Sequence, residues 1–166
     1  MCIRDSDKLY SINPKGYAHN LSQAWKYHYK FRLGFCKPQN KQATKKERKA
    51  TSSNCFLEAI KFANKAIEIN PKKADAYLAK GYFLASIYIV NRKGNRAEEW
   101  GGLKKAGEFA EKGFSLINMN SYQYGLAGEV FTLCNKFDQA TASFAKLFEL
   151  SSRFSSPIAS ASIPFN

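Results

Sequence analysis

The stretch 57–81, LEAIKFANKAIEINPKKADAYLAKG, constrains this chain more than any other. Ala59, Phe62, Ala63, Ala66 and Ile67 recur at three- and four-residue steps, which places them on one face of a helix. Asn70 precedes Pro71, and a residue before proline is disfavoured in helical geometry, so the helix stops there. Ala74, Tyr77, Leu78, Gly81 and Tyr82 then restart the same rhythm. Two amphipathic helices joined by so short a link must lie antiparallel. The small residues Ala59, Ala66 and Gly81 sit where helix axes about 8–10 Å apart have to cross.

The pattern recurs. The segments 58–69, 105–116 and 139–150 align without gaps, with alanine second (Ala59, Ala106, Ala140) and lysine eighth (Lys65, Lys112, Lys146). A residue of variable size follows (Ala66, Gly113, Leu147), and an aliphatic closes each segment (Ile69, Leu116, Leu150). Ala106 and Ala140 are 34 residues apart, whereas Ala59 and Ala106 are 47 apart, one period with an insertion. Tyr77 and Gly81 recur at that same spacing of 47 as Tyr124 and Gly128.

A helical hairpin repeated at this period resembles the tetratricopeptide repeat. The resemblance implies an all-α fold, a right-handed α-solenoid of about three antiparallel helix pairs. Residues 20–70 then form a degenerate first repeat, 74–117 a second with an insertion at 91–103, and 121–152 a third. Within the first, a helix is expected over 20–34, capped by Asn20 or Ser22, and a long basic loop over 36–54. Ser52 or Ser53 should cap the helix that follows. Residues 7–19, with Asn13-Pro14 and Gly16, read as an irregular lead-in, and 153–166 as a Ser/Pro-containing tail. Residues 1–6, MCIRDS, read as a translated sequencing adapter and carry no fold information, which implies a fragment of a larger protein.

Apolar content of 45% supports a packed core rather than a disordered chain. The net charge of +13 leaves open an anionic partner, and it is unevenly placed. Residues 7–103 carry 19 Lys/Arg against 7 Asp/Glu, whereas residues 104–166 carry 6 against 5. The longest apolar run, 82–90, is far below the roughly 20 residues of a membrane span, and 1–6 lack a secretory core. Setting Cys2 aside, Cys36, Cys55 and Cys134 form no C-x-x-C pair and no cluster with His19 or His28, so no metal site is expected. Unpaired thiols without a signal sequence fit a reducing compartment, and a cytoplasmic location follows.

Two surfaces could bind something. In the repeat family, positions two, five, nine, twelve and thirteen of each first helix line a concave groove that holds a peptide. Carried over by register, these are Asp75, Leu78, Tyr82, Ala85 and Ser86, then Tyr122, Gly125, Glu129, Thr132 and Leu133. Leu78 and Tyr82 occupy the places where chaperone-binding members hold a terminal carboxylate with lysine and asparagine, so that clamp is not expected. The second surface is basic: Lys26, Lys30, Arg32, Lys37, Lys41, Lys45, Lys46, Arg48 and Lys49, interleaved at first with Trp25, Tyr27, Tyr29, Phe31 and Phe35. Cations for phosphates and rings for base stacking would suit single-stranded nucleic acid. On a helix, however, neighbours point about 100° apart, which favours a core for the rings and solvent for the cations.

The sequence carries no nucleophile elbow, H-E-x-x-H or P-loop, so no enzyme activity and no cofactor are expected. Gly101-Gly102-Leu103-Lys104-Lys105 lacks the phosphate-loop spacing and reads as a hinge; Trp100 reads as an anchor for the insertion. The leading expectation is a scaffold that binds a protein or peptide in the groove. A second is the C-terminal regulatory repeat region of a nucleotide cyclase or transcriptional regulator, because the insertion after 74–90 looks like such regions. A third is nucleic-acid binding through 26–49.

Overall fold

The computed structural model describes residues 14–33, 35–36, 44–90, 102–116 and 119–154, and all regular structure among them is helical. Six helices follow in order: α1 (Pro14–Arg32), α2 (Lys45–Ile69), α3 (Ala74–Val90), α4 (Gly102–Phe114), α5 (Ser121–Leu133) and α6 (Phe137–Phe154). They pack as three sequential antiparallel hairpins, α1 with α2, α3 with α4 and α5 with α6. Each later first helix also packs on both helices of the hairpin before it, α3 on α2 and α1, α5 on α4 and α3.

The repeat columns behave alike in space. Ala59, Ala106 and Ala140 are buried on the second helices, Lys65, Lys112 and Lys146 are exposed, and Ile69, Leu116 and Leu150 are half-buried. Gly81 and Gly128 do the same work in successive hairpins. A Cβ on Gly81 would lie 2.9 Å from the Ala106 carbonyl oxygen and 3.4 Å from the Ala110 amide nitrogen. One on Gly128 would lie 2.7 Å from the Phe144 ring, and Phe144 stands one 34-residue period after Ala110. Both glycines let a first helix close on the same register position of its partner.

Two helix starts differ from the sequence expectation. α1 begins at Pro14, inside the stretch expected to be irregular. Proline suits the first turn of a helix, where its missing N–H would go unused, so Asn13-Pro14 starts a helix rather than a turn. Asn20 is therefore interior, and its side-chain amide donates to the Gly16 carbonyl instead of capping. α2 begins at Lys45, so most of the expected loop is helix and neither Ser52 nor Ser53 is a cap. Lysine, arginine, glutamate and alanine are good helix formers, and propagating an existing helix needs no apolar stripe. After the expected insertion α4 opens at Gly102; 91–101, including Trp100, lie outside the described residues, as do 1–13 and 155–166.

The links are built as turn chemistry requires. The Asn70 side chain accepts from the Lys72 N–H (3.1 Å) and its carbonyl from the Lys73 N–H (3.3 Å), closing α2 against α3. Asn120 and Gln123 form a reciprocal capping box at the start of α5, through bonds of 2.9 and 2.7 Å. Asn135 takes a left-handed conformation (φ 58°) between α5 and α6, and the Lys136 N–H returns to the Phe131 carbonyl at 2.8 Å. Lys136 then pairs with Glu111, tying this corner to α4.

The cysteines also depart from expectation. Cys36, just after α1, is disulfide-bonded to Cys55 on α2, which removes the ground on which a reducing compartment was expected. Cys134 is the free thiol among the described residues. Its Sγ donates to the Leu103 carbonyl (3.3 Å), and partial burial pushes its pKa up to about 11, which disfavours the thiolate. No helix among the described residues is long and apolar enough to cross a membrane, and no cluster of three potential metal ligands occurs there.

Candidate functional site

Between the first helices lies a cavity of about 670 Å³. α1 contributes Trp25, His28, Tyr29 and Arg32, with Leu33 just after its end, α3 contributes Tyr82, and α5 contributes Tyr122, Gly125 and Glu129. The α1 set falls at steps of three and four residues, so it forms one stripe along the helix. α3 packs against both α1 and α5, which puts Tyr82 between the two walls.

The rings form a connected sheet. The Trp25 ring lies 5.8 Å from Tyr29 and 5.8 Å from Tyr82, and meets Phe83 edge-on at 4.9 Å. His28 stacks on Phe83 at 4.5 Å beneath this layer. Tyr29 (56% exposed), Leu33 (62%) and Tyr122 (61%) present large apolar side chains to solvent in this one cavity.

Polar groups are few. Arg32 reaches the Tyr82 hydroxyl with a long hydrogen bond of 3.4 Å, and Glu129 stands on the opposite wall. Partial desolvation of the hydroxyl end, followed by the neighbouring Tyr29, Glu129, Tyr82 and Asp75, holds the Tyr122 hydroxyl above the usual phenol range. His28 is only 1% exposed, and its Nδ1 finds no hydrogen-bond partner. Burial and then the Arg32 charge lower its pKa to about 4, leaving a neutral imidazole in the cavity floor.

The groove residues named from register therefore separate. Tyr82, Tyr122, Gly125 and Glu129 come together in the cavity. Asp75 accepts from the Gln123 side chain and ties α3 to α5. Leu78, Ala85 and Ser86 stand in the core, contrary to their expected place on the open face: Leu78 fills the space left by Gly113, and Ser86 is 2% exposed. Thr132 is exposed but donates to the Gly128 carbonyl of its own helix, and Leu133 packs on the core.

The basic set also divides. Lys30 lies 5.5 Å over Tyr27, and Tyr27 stacks on Phe62 of α2 at 5.6 Å, whereas Arg32 faces the cavity. Lys26 is exposed. Lys37 and Lys41 lie outside the described residues; Lys45, Lys46, Arg48 and Lys49 belong to the first turns of α2, their side chains outside that description.

A smaller cavity of about 310 Å³ opens among Phe56, Leu57, Ile60, Leu84 and Phe109, bordered by Lys80 and Lys105. Lys80 Nζ sits 3.8 Å over the Phe109 ring; burial and then Lys105 lower its pKa. No protein family, curated protein or solved structure matches the chain.

Proposed function

We propose that the chain is a protein-interaction scaffold of the tetratricopeptide type, a right-handed stack of three hairpins that holds a peptide segment of a partner in the cavity between its first helices. The observation that carries this reading is the aromatic wall of Trp25, Tyr29, Tyr82 and Tyr122, drawn from three successive first helices and open to solvent. The packing of each first helix onto both helices of the preceding hairpin and the shared columns at Ala59, Ala106 and Ala140 support the repeat assignment. Aromatic faces supply contact area at small entropic cost, which suits recognition rather than bond-making. A regulatory repeat region of a larger protein would use the same groove. The nucleic-acid reading loses support, because Tyr27 and Phe31 of the basic stretch turn toward α2 and do not form a stacking platform with Tyr29.

The test is selection of a random displayed peptide library on the full chain, followed by affinity measurement through Trp25 fluorescence in a Trp100→Phe background. Tyr29→Ala and Tyr122→Ala should each weaken the selected peptides by about tenfold. Phe137→Ala, an exposed ring outside the cavity, should leave affinity unchanged. Peptides indifferent to both tyrosine substitutions would refute the assignment.

A further inference from the structure

The groove carries two charges of opposite sign for which no ion pair is found among the described residues. Ion pairs among the described residues include Lys61–Glu58, Lys136–Glu111 and Lys146–Glu149. Arg32 has only the long contact to the Tyr82 hydroxyl, and Glu129 has no ion-pair partner there. Both are exposed, both line the same cavity, and they stand on different helices with α3 as the common neighbour.

Resting on the peptide-groove reading, we infer that the occupant is an extended segment with an aromatic anchor over Tyr82, an acidic side chain toward Arg32 and a basic side chain toward Glu129. The spacing argues for a peptide over a small zwitterion. Packed helix axes lie about 8–10 Å apart, so the two walls are roughly 16–20 Å apart axis to axis before their side chains reach inward. The Arg32 and Glu129 side chains reach inward from their axes, and an extended chain advances about 3.3 Å per residue, so the two charges of the occupant fall roughly two to three residues apart. The ammonium and carboxylate of one amino-acid backbone flank a single Cα and stand too close together to meet both side chains. The cavity volume of about 670 Å³ holds an aromatic side chain and a few residues of backbone. Opposite charges at the two ends also fix direction, because a reversed peptide would set acid against Glu129 and base against Arg32.

The test compares peptides selected by the wild-type chain with those selected by Arg32→Glu/Glu129→Lys. The wild type should enrich one order of charges around an aromatic residue, and the exchanged variant the reverse order. The best wild-type peptide should lose about tenfold in affinity on the exchanged chain and regain it when its own two charges are exchanged. Both side chains are exposed, so the exchanged chain should keep its melting temperature, and each single substitution measured alone guards against misfolding. Selected peptides that need Tyr29 and Tyr122 but show no charge order, or the same order on both chains, would overturn this inference and leave the groove reading standing. Peptides that ignore the tyrosines would overturn both.

Discussion

His28 shows how much one buried side chain can ask of its surroundings. Its ring stacks on Phe83 and meets Tyr82 edge-on at 5.5 Å, while its Nδ1 has no partner. Protonation would place a charge in an aromatic pocket beside Arg32, so the folded pKa falls from 6.5 to about 4. Between those values the unfolded chain binds the proton and the folded chain does not. Stability is therefore complete above pH 6.5 and is lost as pH falls toward 4, by up to about 3 kcal/mol. His28→Phe keeps a ring on Phe83 and removes the proton site. Urea unfolding from pH 7 to 4 should show the wild type losing on the order of 3 kcal/mol more than the variant; parallel curves would exclude His28 as the cause. Trp25, His28, Tyr29 and Arg32 announce a helical stripe by their spacing, yet without a glycine in register that stripe could not be assigned to a groove. Leu78 and Ser86 were misplaced for a different reason. α3 is apolar nearly all round, and such a helix is surrounded, so counting positions on it overstates how many face solvent.

Helices and their ends were legible where punctuation was strong and obscure where it was ambiguous. Asn70-Pro71 closes α2 as its sequence implies, and Phe137-Asp138 opens α6. Pro14 was ambiguous because proline serves a turn and a first helical turn equally well. The lysine-rich start of α2 lacks an apolar stripe, but its residues favour helix and extend the one nucleated beyond Cys55. The disulfide could not be read from spacing, since pairing depends on where α1 returns against α2. Cys36 and Cys55 are 19 residues apart in sequence and 6.3 Å apart at Cα. Closing a loop of that size restricts the unfolded chain, and the bond should contribute about 3 kcal/mol. In a Cys2→Ser background, thiol titration of the denatured, unreduced chain should find one reactive group, Cys134. Reduction should then lower the unfolding midpoint, whereas Cys134→Ala should leave the effect of reductant intact. Three titratable thiols would show that the pair does not form.

Across the whole molecule, stability should be graded rather than uniform. α3 packs against α1, α2, α4 and α5, whereas α6 packs chiefly on α5. In a stack of repeats, each unit draws its stability from its own hairpin and from the interface with its neighbour, so the element with the most neighbours opens last. The core follows that logic: Leu78, Ala79, Phe83 and Ala85 of α3 are fully buried, while α6 leaves Phe148 71% exposed. Native-state hydrogen exchange should therefore find the slowest amides in α3, opening only with global unfolding, and α6 opening at least about 1 kcal/mol more easily. The groove sits on this gradient, with Tyr82 on the most protected helix and Tyr122 on the hairpin that contains α6. A bound peptide that touches Tyr29, Tyr82 and Tyr122 together favours the state in which all three first helices are docked. Ligand should therefore slow exchange in α5 and α6 more than in α3. Equal protection of all six helices, with or without peptide, would mean that the hairpins unfold as a single unit and that the repeat description fails energetically.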